Sequence, residues 1–531
     1  MPGNPPPPYE SYVDALLDTL ARAPGRSALT TADRTLTAGD LHDGVRGAAT
    51  LMAAHGVTRA STVALLTGNH PEALIARYAA NLLGARVVHL GHGTAPAAQA
   101  EILESTDPAL LLVDPGARTA AGAARSRVPA VLTLAPGLFT DSPPAVRTPP
   151  GAARVGAARA DDDWCLRFTG GTTGTPKLVR MAHGPYRRIL AAHAAHLPSG
   201  PSVRFLACTS LAHMAGIIAD ATLLAGGSVL LHPAFDPADV LAAVERHRIT
   251  DLWLLPPLLH ELLDHPHLAT TDVSSLRRLF YGGAPTSAAR MRRAAEVFGP
   301  VLHGSYGQTE AGPITEVLPH EHAVTAPDGR ITLGRPLPGV DIEIRNTAGT
   351  AQPPGDTGEI HVRTPLMMSG YWRRPDLTAA VLRDGWLATG DLGFLDADHH
   401  LHLVDRLKDI VIVVGGHVYP AEVEQLLLTH PAVAHCAAFG TRGAHDTEEL
   451  HVAVVPAPGH TPRPDRLAEF VTARMGALYE PSRVHLVDRL PLTEAGKPDK
   501  NRLRATLRSA VRGKVAPVEA PVRADRGAVS R

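Results

Sequence analysis

The chain has 531 residues, a length that calls for roughly two to four domains, and 44% of them are hydrophobic, enough for large cores. Lys and Arg total 51 against 52 Asp and Glu, so a net charge of −1 leaves no electrostatic footprint for nucleic acid or an anionic membrane. Three cysteines, Cys165, Cys208 and Cys436, stand far apart with no C-x-x-C spacing, which argues against a disulfide framework or zinc knuckle and fits a reducing cytoplasm.

In chain order, MPGNPPPP (1–8) predicts a disordered, proline-rich lead without the basic and apolar regions of a signal peptide. From Tyr9 to Ala54 the pattern is amphipathic, with Val13, Leu16, Leu17 and Leu20 at helical spacing. Ser61–Leu66 reads as a strand, His70–Leu83 as a helix opened by Asn69, and Ala85–Leu90, Ala109–Val113 and Ala130–Leu134 as further strands. Strands alternating with helices predict a mostly parallel sheet covered on both faces. Residues 135–160 read as a surface connection rich in Pro, Ala and Arg.

Phe168–Arg180, FTGGTTGTPKLVR, carries the strongest local signal. Gly170, Gly171 and Gly174 free the backbone, and Thr169, Thr172, Thr173 and Thr175 add hydroxyls. Pro176 stiffens the exit and Lys177 adds a positive charge. Successive N–H groups in such a loop converge on an anion, and a polyphosphate is the natural ligand. The spacing is not that of a Walker P-loop, because Thr175 and Pro176 follow the last glycine and Leu178 follows the lysine. Residues 214–231 are apolar, but Asp220 and Gly226-Gly227 interrupt them, so a buried segment is expected rather than a membrane span.

Strands are predicted at Val203–Thr209, Leu252–Leu255 and Arg278–Tyr281. LAHMAGI (211–217) makes His213 either a pocket-lining residue or a histidine packed at a strand end. RLFYGGAP (278–285) runs into a Gly282-Gly283-Ala284 turn suited to lie against a flat ring. In HGSYGQTE (303–310), Tyr306 offers an aromatic face for adenine, Thr309 a hydroxyl for a phosphate or carboxylate oxygen, and Glu310 a carboxylate for Mg²⁺ beside substrate phosphates. Residues 330–370 alternate as antiparallel strands, and Phe394–Val404 reads as a hairpin turning at Asp396–His400. His399, His400 and His402 have no companion cluster at ligand spacing, so a solvated hairpin is expected rather than a metal site. After Asp405–Lys408 the character changes to a strand at 409–414, a helix at 421–428, strands near 433–439 and 451–455, a helix near 466–478 and a strand at 484–487, a second small domain. In LPLTEAGKPDKNRL (490–503), Pro, Thr and Gly place Lys497 on a loop.

These blocks, with MSGYWR (368–373) and WLATGDL (386–392), resemble in order those of the adenylate-forming superfamily: acyl- and aryl-CoA synthetases, adenylation domains of peptide synthetases, and firefly-type luciferases. The loop departs from the family's T-S-G-[ST]-T-G-x-P-K pattern in that Gly170 or Gly171 replaces its serine. The resemblance covers most of residues 10–505. It implies an α/β fold: a large N-terminal region of stacked, mostly parallel sheets with helices plus a β-rich subdomain (9–404), a hinge at 405–408, and a smaller mobile α+β C-terminal domain (409–511), with 1–8 and 512–531 disordered.

By the same resemblance, Asp391 and Arg406 contact the ribose, Gly307 belongs to the adenine-side block, Lys408 is the hinge and Lys497 is catalytic. The acid pocket borders His213, Met214, Gly216, Tyr281 and Gly304. The implied reaction is ATP- and Mg²⁺-dependent activation of a carboxylic acid as its adenylate, then transfer to a thiol, either CoA or carrier-protein phosphopantetheine. The alternatives are adenylation of another oxyacid such as nitrite with transfer to an aromatic amine, amide formation, or a silent nucleotide-binding protein; retained Lys497, Glu310 and Asp391 argue against the last. The acceptor region departs from CoA-using relatives. FGTRGAHDTEEL (439–450) has Arg442-Gly443 in place of Pro-Asp, and Tyr479-Glu480-Pro481 replaces Tyr-Lys-x-Pro. Both changes leave fewer groups for CoA's anionic nucleotide, and CoA is expected to be a weaker acceptor than the adenylation capacity suggests.

Overall fold

A computed structural model of the protein describes residues 9–91, 96–117, 128–141, 158–169, 177–195, 197–198, 200–284, 286–326, 329–413, 416–442, 448–493 and 496–511. The two expected disordered ends and loop residues 170–176 lie outside the described residues.

Two parallel sheets dominate. The first has nine strands in the order 335–336, 312–317, 302–308, 278–282, 251–254, 204–207, 228–231, 27–30, 35–37, parallel from 302–308 through 27–30 and antiparallel at both edges. The second has seven, in the order 370–371, 177–182, 163–169, 86–89, 62–66, 110–113, 131–133. Strands such as Leu110–Val113 (LLLV) are apolar without alternation because both faces are covered. The largest core joins Val63, Val87 and Cys165 of the second sheet to Phe205, Val229 and Trp253 of the first, with Ile217, Ile218 and Leu223 of the helix Met214–Leu224 between them. The outer face of the first sheet packs Leu252, Leu254, Leu279 and Tyr281 on Leu258, Leu259 and Met291. The outer face of the second packs Ala64, Val88 and Leu166 on Ile102 and Leu103.

A five-stranded antiparallel sheet follows, built from 341–345, 358–363, 386–395, 382–383 and 401–406. Beyond it lie the hairpin 411–413/416–418 and a three-stranded sheet of 433–442, 448–456 and 483–486, with helices Pro420–Leu427, Pro464–Met475 and Lys500–Val511. The chain is thus a large N-terminal domain with a smaller C-terminal one.

Four local readings change. The amphipathic stretch 9–54 is two helices, Tyr12–Arg22 and Ala38–Ala54, separated by a hairpin of Ser27–Thr30 and Thr35–Thr37 that joins the first sheet. Strands this short carry too few residues to display a period. Asn69 does not cap the helix Pro71–Leu82; His70 takes the N-cap position, while the Asn69 amide donates to Thr209 O (2.8 Å) and His232 O (3.1 Å) and so ties the two sheets together. The histidine hairpin is not solvated: His400 and His402 are buried and only His399 is exposed. His402 stacks on Phe394 with ring centroids 5.0 Å apart, and its Nε2 lies 3.0 Å from Asp396 Oδ2. The final helix, Lys500–Val511, follows the loop of Lys497 and went unrecognised. Residues 214–231 form a buried helix and strand, and among the described residues no helix is long and apolar enough to cross a membrane.

Candidate active site

Strand 163–169 and strand 177–182 form an antiparallel pair with Thr169 opposite Lys177, so the glycine-threonine loop is closed at its base by a fixed register. Gly170, Gly171, Thr172, Thr173 and Gly174 lie outside the described residues. The Lys177 ammonium stands 5.5 Å from the ring centroid of Tyr371, and the Tyr371 hydroxyl donates to Glu310 Oε1 at 3.1 Å. The edge strand Gly370–Tyr371 pairs with 177–182, and Met368 N donates to Glu310 O at 2.8 Å. Together these contacts link the exit of the glycine-threonine loop to the Thr309-Glu310 turn, which joins strands 302–308 and 312–317.

Tyr306 and Gln308 project from one face of their strand, as residues two apart must. Both donate to Asp391 Oδ2, the phenol at 2.7 Å and the amide at 2.7 Å. The Gln308 amide also reaches Thr389 O at 2.9 Å. Arg406 Nε donates to Asp391 Oδ1 at 3.1 Å, across the strand pair in which Asp391 and Arg406 are direct partners. Asp391 is 2% exposed, so its carboxylate is oriented by three donors before any nucleotide arrives. Burial and the neighbouring Asp391 charge push the Tyr306 phenol far above its ordinary pKa, so it stays a neutral donor. Gln308 was missed in the sequence, where only its i, i+2 relation to Tyr306 marks it.

Lys497 reaches this site from the C-terminal domain. Its Cε lies 3.6 Å from where a Cβ on Gly283 would stand, and Gly283 has φ +78°. A side chain at Gly283 would be strained there and would crowd the amine. Burial, then the charge of Arg406, lower the Lys497 amine to about 8; Lys408 adds to the lowering, while Asp391 and Glu310 oppose it. One electrostatic neighbourhood therefore contains Lys497, Arg406, Lys408, Glu310 and Asp391. Lys408 itself is exposed in the turn after strand 401–406, and desolvation with Arg406 lowers its amine too. Glu310 forms no ion pair with a cationic side chain among the described residues, which leaves its carboxylate available to a metal ion.

The C-terminal domain is held in this position by named contacts. Arg330 Nη2 meets Glu422 Oε1 at 3.0 Å, Ala421 N donates to Asp405 Oδ2 at 2.9 Å, and the His260 and His435 rings stack at 6.1 Å. Lys500 Nζ pairs with Glu424 Oε1 at 2.9 Å within the C-terminal domain.

The pocket residues divide between two faces. His213 is at the N-cap of the helix Met214–Leu224 and makes no capping hydrogen bond with its side chain. Burial, with the charges of Arg167 and Lys497, lowers its imidazole to about 4, so it is neutral near pH 7. Gly216 packs so close to Leu211 O and Arg77 Nη1 that a Cβ would stand 2.0 Å and 3.0 Å from them. Tyr281 and Gly304 are register partners, and the Tyr281 hydroxyl lies 2.7 Å from where a Gly304 Cβ would be. They face the helices 256–264 and 288–298, away from Met214. The opposite face presents Trp253, Phe280 and His303, with Phe280 and His303 ring centroids 5.5 Å apart and both residues partly accessible. Gly282 continues that face, 3.4 Å from Trp253 Cη2 at its Cβ position.

The AMP-binding enzyme family matches residues 16–372, and the AMP-binding enzyme C-terminal domain matches residues 422–497. A feruloyl-CoA synthase of Amycolatopsis is 35% identical over 483 residues, 90% of this chain and 94% of the relative. A medium/long-chain-fatty-acid–CoA ligase of Mycobacterium tuberculosis is 33% identical over 512 residues, 92% of this chain and 89% of the relative. Among solved structures, an amide bond synthetase of Marinactinospora thermotolerans superimposes with a TM-score of 0.82 at 36% identity, covering 93% of this chain and 98% of that one. The chain therefore belongs to the AMP-binding enzyme family and is an ATP-dependent, AMP-forming ligase that activates a carboxylic acid as its adenylate.

Proposed function

We propose that the acid is aromatic and that coenzyme A is the thiol. The observation that carries the acid class is the partly accessible ring face of Phe280 and His303, which leads past Gly282 to Gly283 and Lys497. A flat acid laid on that face would direct its carboxylate toward the amine. The similarity to a feruloyl-CoA synthase supports the same reading.

The carboxylate oxygen attacks the α-phosphorus of ATP and pyrophosphate departs. The acid is ionised at neutral pH and needs no general base. Attacker and leaving group are both anionic, so the site must supply positive charge where charge accumulates. Lys497 and Lys177 do so, with the loop amides of Gly170–Gly174. Asp391 and Arg406 hold the ribose, Tyr306 with Gly307 and the Gly282–Ala284 turn holds adenine, and Thr309 donates to an anionic oxygen. Glu310 is the side chain suited to hold a magnesium ion, which would neutralise phosphate charge when bound with ATP. Rotation about Lys408 then brings the thiol to the adenylate; its sulfur attacks the acyl carbon and AMP leaves.

A second reading, amide formation with an amine, is favoured by the resemblance to an amide bond synthetase and by the acceptor region. Tyr479 donates to Glu422 Oε2 at 2.6 Å and is followed by exposed Glu480, an anion where CoA's phosphates would meet repulsion. Residues 443–447 of the acceptor segment lie outside the described residues.

The test has two stages. Isotope exchange of pyrophosphate into ATP is measured across aromatic and aliphatic acids, with nitrite included, and aromatic acids should give the highest kcat/KM. Preformed adenylate is then offered CoA, a pantetheinylated carrier protein or an aromatic amine. Saturable thioester formation with CoA supports the first reading, and amide as the sole product replaces it with the second.

A further inference from the structure

Two buried arginines lie between the sheets, and they are treated very differently. Arg77 pairs with Asp220, whose carboxylate also accepts from the Tyr78 hydroxyl (2.6 Å) and the Tyr186 hydroxyl (2.5 Å). Arg167 is 9% exposed and forms no ion pair among the described residues. Its Nε has no hydrogen-bond partner; the Trp164 ring lies 5.4 Å away, and the neighbouring thiol of Cys165 is kept neutral by burial. The adjoining segments 92–95 and 170–176 contain no acidic residue. Removing a charge from water without a partner is costly, so a guanidinium in this state implies an anion that arrives from outside.

The register fixes where that anion would sit. Val87 pairs with Cys165 and Val88 with Leu166, and Val87 and Cys165 face the inner core. Two residues further on, His89 and Arg167 stand side by side on that same face, at the carboxyl ends of two parallel strands. That is where parallel sheets present their ligands. His213 stands at the amino end of the helix Met214–Leu224, which packs between the two sheets. Burial, then Arg77 and Arg167, lower the His89 imidazole, and burial, then Arg167 and Lys497, lower that of His213, so both are neutral near pH 7. The guanidinium, the helix amino end and the one N–H of each neutral imidazole can all donate to a single anion. Both Arg167 and Lys497 act on His213, which puts the two cations in one electrostatic neighbourhood with it.

We infer that Arg167, flanked by His89 and His213, binds a second carboxylate of the acid substrate while the reacting carboxylate is held at Lys497, so that the preferred substrates are dicarboxylic acids. The inference rests on reading the site as an acid-activating centre but not on the acid being aromatic. Pyrophosphate exchange is compared for matched pairs, benzoate against the three benzenedicarboxylates and hexanoate against adipate. The parent enzyme should favour a diacid within at least one pair. Arg167→Met should lower kcat/KM for that diacid about 100-fold, through KM, and change the monoacid by less than about threefold. Arg167→Gln should give the same split if the Met variant unfolds, as judged by thermal unfolding. No diacid preference in either pair, or equal losses on diacid and monoacid, overturns the inference. A diacid preference confined to the aliphatic pair would keep Arg167's role and remove the aromatic reading.

Discussion

Lys497 should impose an alkaline limit on adenylation. The amine is lowered to about 8 by burial, with Arg406 and Lys408 adding to the effect. The sign follows directly: below that value the group is an ammonium able to stabilise charge on the phosphates, and above it the amine is neutral. The cationic fraction is about nine-tenths at pH 7 and about one-tenth at pH 9, so kcat/KM for ATP in exchange at saturating magnesium should fall roughly tenfold between them. Bound polyphosphate raises the amine's pKa, so at pH 8 ATP binding should take up about half a proton, measurable by calorimetry in buffers of different ionisation enthalpy. Lys497→Met should cost about 10²–10³ in exchange rate, roughly 3–4 kcal/mol. Lys497→Arg stays charged and should lose the alkaline limb even where its rate is lower. A parent profile flat from pH 7 to 10, or a Met variant exchanging at the parent rate, would refute the assignment.

Asp391→Asn removes the charge shared by Arg406, Tyr306 and Gln308, and should raise the ATP KM about 10–100-fold in exchange assays with varied ATP. An unchanged KM would remove it from the ribose. Glu310→Gln should instead lower kcat about 100-fold and shift the magnesium titration to higher concentration; an unaltered titration would count against a metal role. Lys408→Pro fixes φ near −65° and removes an N–H in the turn after Arg406, and should slow acyl transfer to the thiol while sparing pyrophosphate exchange. Equal loss of both half-reactions would argue against a hinge there.

How legible each part was follows from what kind of signal it left. The two parallel sheets could be read because runs such as Leu110–Val113 must be apolar on both faces. The Tyr306–Glu310 and Asp391 blocks could be read because their chemistry is concentrated in a few adjacent residues. The Ser27–Thr37 hairpin could not, since its strands take their place only by pairing with residues about 200 positions away. Nor could the burial of His400 and His402, where the partners Glu321, Asp396 and Phe394 outweigh the polarity of the side chains. Arg167 left a faint mark, a charge four residues after Asp163 in the buried strand DWCLRFT, but its lack of a counterion is a property of three-dimensional neighbours. Phe280 and Tyr281 are adjacent in sequence and face opposite layers, so which of them borders the site depends on strand register alone.

The arrangement of the two domains also bears on how the proposed rotation is driven. Arg330–Glu422, the bond from Ala421 N to Asp405, the His260–His435 stack and the seat of Lys497 against Gly283 together dock the C-terminal domain. Ion pairs of this kind recover hydration when they part, so separation costs far less than exposing an equal area of apolar core. Lys500–Glu424, by contrast, lies inside the C-terminal domain and moves with it. The Lys497 ammonium is disfavoured by burial until an anion joins it. ATP supplies that anion and so favours the docked state; departing pyrophosphate takes it away. The same lysine that stabilises the adenylation step thus makes its own docked position less favourable once the step is complete, which gives the rotation a direction without requiring a separate trigger.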